Sequence, residues 1–350
     1  MENIFPHHGK SGSRAEWRRL LAARGPAQDA LFARADAVRR AHCGDAVPVR
    51  AILEFSNACA NDCLYCGIRA SNPLPARYRM TPDEILAAVR GIAAAGTAGT
   101  VVLQSGETPG PADDDLAALL RRIKTEFPAL AITLSVGNRP RDVYARWRDA
   151  GMDRYLLRFE TSDPDLFARL HPGSTLADRL RCLRDLQALG VQTGGGFMIG
   201  LSGETLDTLA GNILLCREFD FDMIGIGPFI PSPGTPLEHE SNAYAGDPDV
   251  FFRAIAVLRL ACPDAHIPAT TAFDALFPDG RDRALRCGAN VFMPNATPQP
   301  YRRAYQLYPG KPCVDEEAAD CARCTRARLR ALGRPVAPGP GHSLKKQPPG

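Results

Sequence analysis

The strongest chemical signal in the chain is Cys59-Ala-Asn-Asp-Cys63-Leu-Tyr-Cys66. Three thiols at spacings of four and three residues can face one iron–sulfur cluster. A 4Fe–4S cluster normally takes four thiolates, so three leave one iron open to a substrate or cofactor. Structural zinc would need a fourth ligand, and no other cysteine or histidine lies close in sequence. A second trio, Cys313, Cys321 and Cys324, lies far downstream and is compatible with a second cluster or with an accidental grouping. Cys43, Cys182, Cys216, Cys262 and Cys287 fall mostly in helical segments and read as small core or surface residues. The seven histidines are scattered, and none pairs at a metal-binding interval on a helix. They read as structural or solvent-exposed, with His7 and His8 in a disordered start.

Elements that could hold the first trio begin at about residue 50. Strand-like runs cover 51–56, 100–104, 131–136, 154–160, 191–199, 223–227, 266–271 and 289–293. Helical patterns separate them, at 82–95, 113–127, 176–189, 205–218 and 248–261. Thr81-Pro82-Asp83-Glu84 is a capping box with proline at the first helical position. Gly96 and Gly190 read as helix stops. Eight strand–helix units predict a parallel (βα)8 barrel of the TIM type. It spans residues 50–332, with a helical extension over 1–49 and a flexible Pro/Gly-rich tail over 333–350. Cys59 then follows the first strand, on the barrel face where active sites form. The long loops 229–247 and 294–317 lie on the same face.

Alternation sorts the strand faces. Arg154, Leu156, Arg158 and Glu160 point inward on the fourth strand, Thr133 and Ser135 on the third, and Gln104 on the second. The fifth and sixth strands add Gly194, Gly196, Met198, Met223, Gly225 and Gly227, and the seventh ends in Thr270 and Thr271. Most barrels fill this space with branched aliphatics. Glycine, hydroxyls and charge instead predict either an internal salt-bridge network or a ligand cavity. Two inward arginines against one glutamate leave room for an anion.

Composition narrows the class of function. The chain has 350 residues, 45% hydrophobic and 23% charged, with a net charge of +3. Arg334, Lys345 and Lys346 carry that charge in a tail without acids, and only five of the 42 basic residues are lysine. No basic field exists to hold a nucleic-acid backbone. No apolar run approaches a membrane span, and the start lacks a signal-peptide core. Reduced thiols in the cytoplasm are therefore expected. There is no Walker loop or dinucleotide-binding fingerprint.

The cysteine motif resembles that of the radical S-adenosylmethionine superfamily, with Tyr65 at its aromatic position. The strings ILEFSNACANDCLYCGIR, RYRMTPDEI, VVLQSGE, DRYLLRFETSDP, FDMIGIGPFIPSPGTPL, IPATTA, RCGANVFMPN and YQLYPGK resemble its HydE family, the maturases of iron-iron hydrogenase. They run from about residue 50 to 326. The resemblance implies a 4Fe–4S cluster on Cys59, Cys63 and Cys66, and S-adenosylmethionine on its open iron. It assigns Ser105, Gly106 and Glu107 to the amino group of that cofactor. Arg158, Glu160 and Arg179 fall to its methionine and ribose parts, Met198 and Ile199 to its adenine, and Tyr305 to the capping loop. It assigns Gln104, Thr133, Arg154, Thr270 and Thr271 to an anion site deeper in the barrel. Cys313, Cys321 and Cys324 match the spacing of an auxiliary cluster found in some HydE-like proteins.

The implied activity is reductive cleavage of S-adenosylmethionine to a 5′-deoxyadenosyl radical, which acts on a cysteine-bound Fe(CO)2(CN) precursor. The implied partners are HydG, HydF and a ferredoxin or flavodoxin. Two rivals are a methylornithine synthase-like lysine mutase and a non-catalytic iron–sulfur scaffold. The first needs an acid for the lysine ammonium, and the predicted interior offers only Glu160. The second leaves Glu107, Arg158 and Arg179 without a purpose. Biotin synthase needs cysteines inside the barrel, and no inward strand position is cysteine.

Overall fold

The computed structural model describes residues 12–108 and 112–345; His7 and His8 lie outside them. Two helices come first, α1 (Arg14–Leu21) and α2 (Pro26–Cys43). Ser13 caps α1 by accepting from the Glu16 amide. The apolar stripes of both helices lie on the outside of the later barrel, α1 against α8 (Leu206–Phe219) and α2 against α9 (Val250–Ala261).

Six parallel strands then form a curled sheet in chain order: β1 (Arg50–Ser56), β2 (Thr100–Ser105), β3 (Ala131–Ser135), β4 (Arg154–Leu156), β5 (Gln192–Ile199) and β6 (Met223–Pro228). Between them run α3 (Pro82–Ala95), α4 (Ala112–Glu126), α5 (Arg141–Asp149), α6 (Pro164–Leu170) and α7 (Leu176–Ala188). The short pair β7 (Pro268–Ala269) and β8 (Val291–Phe292) completes the ring through isolated bridges, Met223 to His266 on one side and Val49 to Phe292 and Ile52 to Asn295 on the other. The TIM-type barrel expected from the sequence is therefore present, with two short strands at its seam. The remaining helices are α10 (Thr271–Leu276), α11 (Gly280–Arg286), α12 (Gln299–Arg302) and α13 (Ala318–Ala331).

Several helix starts have a local cause. Thr81 and Glu84 exchange capping hydrogen bonds ahead of α3, and Gly96 ends it in a left-handed turn. Thr175 and Thr205 cap α7 and α8. Tyr155, Leu157 and Phe159 alternate outward and are buried under the helices.

Three strand expectations need correction. The fourth strand is regular only to Leu156; beyond it residues 157–160 stay hydrogen-bonded to β5 in an irregular path, and Glu160 takes a left-handed φ of 64°. The seventh and eighth shrink to two residues each.

The tail also departs from expectation where it is described; residues 346–350 lie outside the described residues. Residues 334–345 are not loose; they run as a strap across the lower, N-terminal end of the barrel. Val336 bridges Val47, and Pro340 O accepts from Thr100 Oγ1 and Arg154 Nη2, both at 2.8 Å. Gly341 O accepts from Arg50, and His342 O meets His266. A Cβ on Gly99 would lie 1.9 Å from Gly339 O, so the strap needs glycine at that crossing. Pro/Gly richness here marks an irregular path, and inward donors on the strands hold it.

Candidate active site

The upper, C-terminal end of the barrel holds a cavity of about 330 Å³. Cys59, Cys63 and Cys66 all line it, on the loop that follows β1. That loop is fastened from several directions. Leu64 N–H donates to Leu170 O at the end of α6, and Gly67 N–H to Leu307 O in the capping loop. The Arg77 guanidinium donates to the carbonyls of Asn57 and Ile68, both at 2.8 Å, and of Asn72 at 2.9 Å. Tyr65 O–H donates to His171 Nε2 at 2.8 Å, and His171 Nδ1 faces Phe167 O at 3.0 Å. The carbonyl fixes the proton on Nδ1 and leaves Nε2 as the acceptor. Burial holds the His171 pKa down, near 4, so the ring stays neutral. Burial also pushes the Cys63 thiol up to about 12 and the Cys66 thiol higher still. Thiols in such surroundings become thiolates when a metal takes them.

Ser105, which ends β2, and Gly106 and Glu107 after it lie beside the trio and line the same cavity. A Cβ on Gly106 would sit 2.2 Å from Ala58 O, and one on Gly137 would meet the Glu107 carboxylate at 2.1 Å. Glu107 accepts from the Asn138 amide at 2.9 Å and lies 3.9 Å from Arg179. Arg158 pairs with Glu160 at 2.8 Å. Arg158 Nε and Nη2, Glu160 Oε2 and Arg179 Nε are nonetheless buried without a well-formed hydrogen bond. Met198, Gln104, Thr270, Thr271 and Tyr305 also line the cavity. Gln104 Nε2 donates to Tyr305 Oη at 3.2 Å, and Thr271 meets the Tyr308 hydroxyl at 2.8 Å.

Some expected residues lie elsewhere. Arg154 is not in the cavity. It sits at the barrel floor, bound to Thr100, Gln192 and the strap. Thr133 stands level with it on β3, buried with an unpartnered hydroxyl and outside the cavity lining. Ile199 packs in the outer core. The five-residue anion site thus reduces, within the cavity, to Gln104, Thr270 and Thr271. Cys313, Cys321 and Cys324 lie outside the cavity, at the capping loop and α13. Hydrogen bonding from Cys313, together with Arg302 Nη1 at 3.4 Å, lowers the Cys321 pKa, while Cys324 is exposed.

Several residues escaped the sequence reading. Glu54 and Lys311 face the cavity as an ion pair of 2.5 Å, both nearly sealed from solvent. Glu54 lies on the inward register of β1, which alternation could have revealed. Lys311 lies in a loop with no periodicity to read. Arg77 and His171 act at a distance in sequence that no local pattern encodes.

Among the described residues, no three cysteine, histidine or acidic side chains converge on a single ion. A four-iron cluster does not demand that, because each thiolate takes a different iron. Three thiols on one wall, facing buried guanidinium and carboxylate atoms without a well-formed hydrogen bond, fit a cluster and a polar cofactor between them. Cys59, Cys63 and Cys66 would hold the cluster. Glu107, Arg158, Glu160 and Arg179 would meet the cofactor.

Comparison with known proteins agrees with this chemistry. Residues 53–216 match the radical SAM superfamily model. The chain is 49% identical over 306 residues to the [FeFe] hydrogenase maturase subunit HydE of Thermotoga maritima, covering 87% of this chain and 86% of that protein. It is 28% identical over 264 residues to 3-methylornithine synthase of Methanosarcina acetivorans, covering 75% and 73%. The crystal structure of methylornithine synthase (PylB) superposes with a TM-score of 0.80 at 25% identity, over 93% of this chain and 94% of that one. No helix among the described residues is long and apolar enough to cross a membrane. The cysteine loop, the barrel and the extent of identity together place this chain in the radical SAM superfamily, as a member of the HydE family of maturase enzymes.

Proposed function

We propose that this enzyme performs the HydE step in assembling the active-site cluster of iron-iron hydrogenase, acting on a cysteine-bound Fe(CO)2(CN) precursor. One observation carries the reading. The cysteine trio, the incompletely hydrogen-bonded charges of Arg158, Glu160 and Arg179, and the deeper Gln104–Tyr305 region share one cavity. Its volume lies within the range of small-molecule sites.

When bound, the cluster and S-adenosylmethionine supply one-electron cleavage of a sulfonium and a reactive carbon radical. The protein provides the surroundings. Glu107 and Arg179 orient a zwitterionic group near the cysteines, and the left-handed Glu160 turns its carboxylate toward Arg158. Tyr305, Tyr308 and Leu307 of the capping loop close the cavity above the substrate and exclude water. No protein nucleophile is required.

HydG would supply the precursor, HydF would receive the product, and a ferredoxin or flavodoxin would deliver electrons, all in the cytoplasm. A second cluster on the Cys313 trio is not needed for this reading. Glu54 gives some support to the lysine-mutase reading, because it is a cavity acid beyond Glu160. Lys311 already neutralises it, which disfavours a lysine side chain there.

The test is hydrogenase maturation in a defined anaerobic mixture of HydG, HydF, apo-hydrogenase, S-adenosylmethionine, reductant and this protein. Hydrogen evolution that vanishes with Cys63→Ala supports the reading. Formation of 5′-deoxyadenosine without maturation refutes the substrate assignment, and lysine becomes the next substrate to try.

A further inference from the structure

The charges lining the cavity come in three pairs. Two of them, Arg158 with Glu160 and Arg179 with Glu107, lie on the cysteine side, where Arg179, Glu160 and Glu107 all act on the Cys63 thiol. The third, Lys311 with Glu54, lies apart beside Tyr305, whose ring centroid is 5.1 Å from Lys311 Nζ. With Arg154 removed to the floor, the lining has no surplus cation for a free anion.

The third pair retains unused capacity. Lys311 has three N–H groups; one goes to Glu54 Oε1 and one to Tyr305 O at 3.2 Å. Glu54 Oε2 receives only long contacts, from Thr297 at 3.3 Å and Asn295 at 3.4 Å. A carboxylate can accept about four hydrogen bonds. One donor and one acceptor of opposite charge therefore stand side by side, buried and incompletely used. A ligand with a carboxylate and an ammonium two bonds apart can engage both without adding net charge to the interior. An anion or cation alone would leave an uncompensated charge. The chain is otherwise arginine-rich, yet the cation here is one of its five lysines. A compact ammonium can serve two carboxylates at once, where the planar fork of arginine favours one.

We propose that Lys311 and Glu54 are specificity-determining residues that receive the α-carboxylate and α-ammonium of an amino-acid moiety in the substrate. This rests on the reading that the cavity houses the radical chemistry. It identifies the recognised part of the substrate as a zwitterionic amino acid, held at the end away from the cysteine trio.

The probes are S-methyl-L-cysteine, its methyl ester and its N-acetyl derivative, titrated anaerobically into the reconstituted enzyme with S-adenosylmethionine bound. The wild type is expected to bind the free amino acid at least about ten-fold more tightly than either blocked form, as loss of a buried charge-assisted hydrogen bond implies. Lys311→Met should erase discrimination against the ester and keep that against the N-acetyl form. Glu54→Gln should do the reverse. The double variant, which buries no lone charge, should bind all three ligands equally and weakly while keeping its affinity for S-adenosylmethionine.

Equal weakening of every ligand in both single variants would mean that the pair only fastens the loop, and would overturn the proposal. So would a wild type that does not prefer the free amino acid, or a double variant that loses S-adenosylmethionine. A wild type that matures hydrogenase without this selectivity refutes the proposal alone. Selectivity without maturation refutes the HydE reading alone.

Discussion

Replacing Glu204 by glutamine removes a carboxyl that the fold holds protonated. Glu204 follows the loop after β5, just beyond the cavity-lining Met198, and is buried. Burial raises its pKa from the usual 4.5 to about 8, and the nearby Gly200 and Leu201 amides and Tyr244 hydroxyl offset only part of that rise. Below pH 4.5 both folded and unfolded chains hold the proton, so this group adds no pH dependence to stability. Between pH 4.5 and 8 the unfolded chain releases the proton while the folded chain keeps it. Stability then falls by about 1.4 kcal/mol per pH unit, to a total of about 5 kcal/mol, and levels off above pH 8. Glutamine keeps the shape and cannot ionise. The variant should therefore match the wild type near pH 5, apart from a constant offset, and gain on it steadily up to pH 8. Anaerobic urea unfolding followed by far-UV circular dichroism, at unit steps from pH 5 to pH 9, measures the difference. Two parallel profiles would refute the argument, because they would mean that Glu204 has the same pKa in both states.

Gly106→Ala should leave the barrel folded but displace the turn beneath Cys59, because the added Cβ meets the Ala58 carbonyl oxygen at 2.2 Å; iron content after reconstitution should drop sharply while circular dichroism is unchanged. His171→Phe leaves the Tyr65 hydroxyl without its acceptor in a buried site, a cost of about 1–3 kcal/mol. A double-mutant cycle with Tyr65→Phe should recover most of that loss, and additivity would count against the contact. Deleting residues 339–350 removes the strap's acceptors for Arg50, Arg154 and Thr100; a loss of about 2–4 kcal/mol in urea unfolding is expected, with water replacing part of what is lost.

Much of the site was readable because strands alternate. Arg158, Gln104 and Met198 were placed on the inner face from sequence, and all three line the cavity. Alternation gives the face of a residue, not its height along the barrel. Arg154 and Arg158 share a face of the fourth segment, yet four residues of extended chain separate them by roughly 13 Å. Register settles the height, since Arg154 stands level with Thr133 and Gln192 near the floor. Glu160 was also placed inward by alternation and lines the cavity, although its left-handed backbone is a feature that no periodicity announces. Lys311 depends on where a long loop lands, and that is decided by tertiary contacts such as the Gly67 amide to Leu307. The tail was misread for a related reason. Its composition reports the absence of regular structure, whereas its order comes from inward donors hundreds of residues away.

The strap also sets a timetable for synthesis. Residues 334–345 leave the ribosome after all eight strands, so the nascent barrel is a tube open at its lower end until they arrive. Arg50 and Arg154 remain solvated through that interval and give up their water only when the carbonyls of Pro340 and Gly341 dock. A barrel deprived of residues 334–345 would carry the upper cavity above a wet floor. Closing the lower end of the interior to water thus comes after the strands are in place rather than as part of building the barrel.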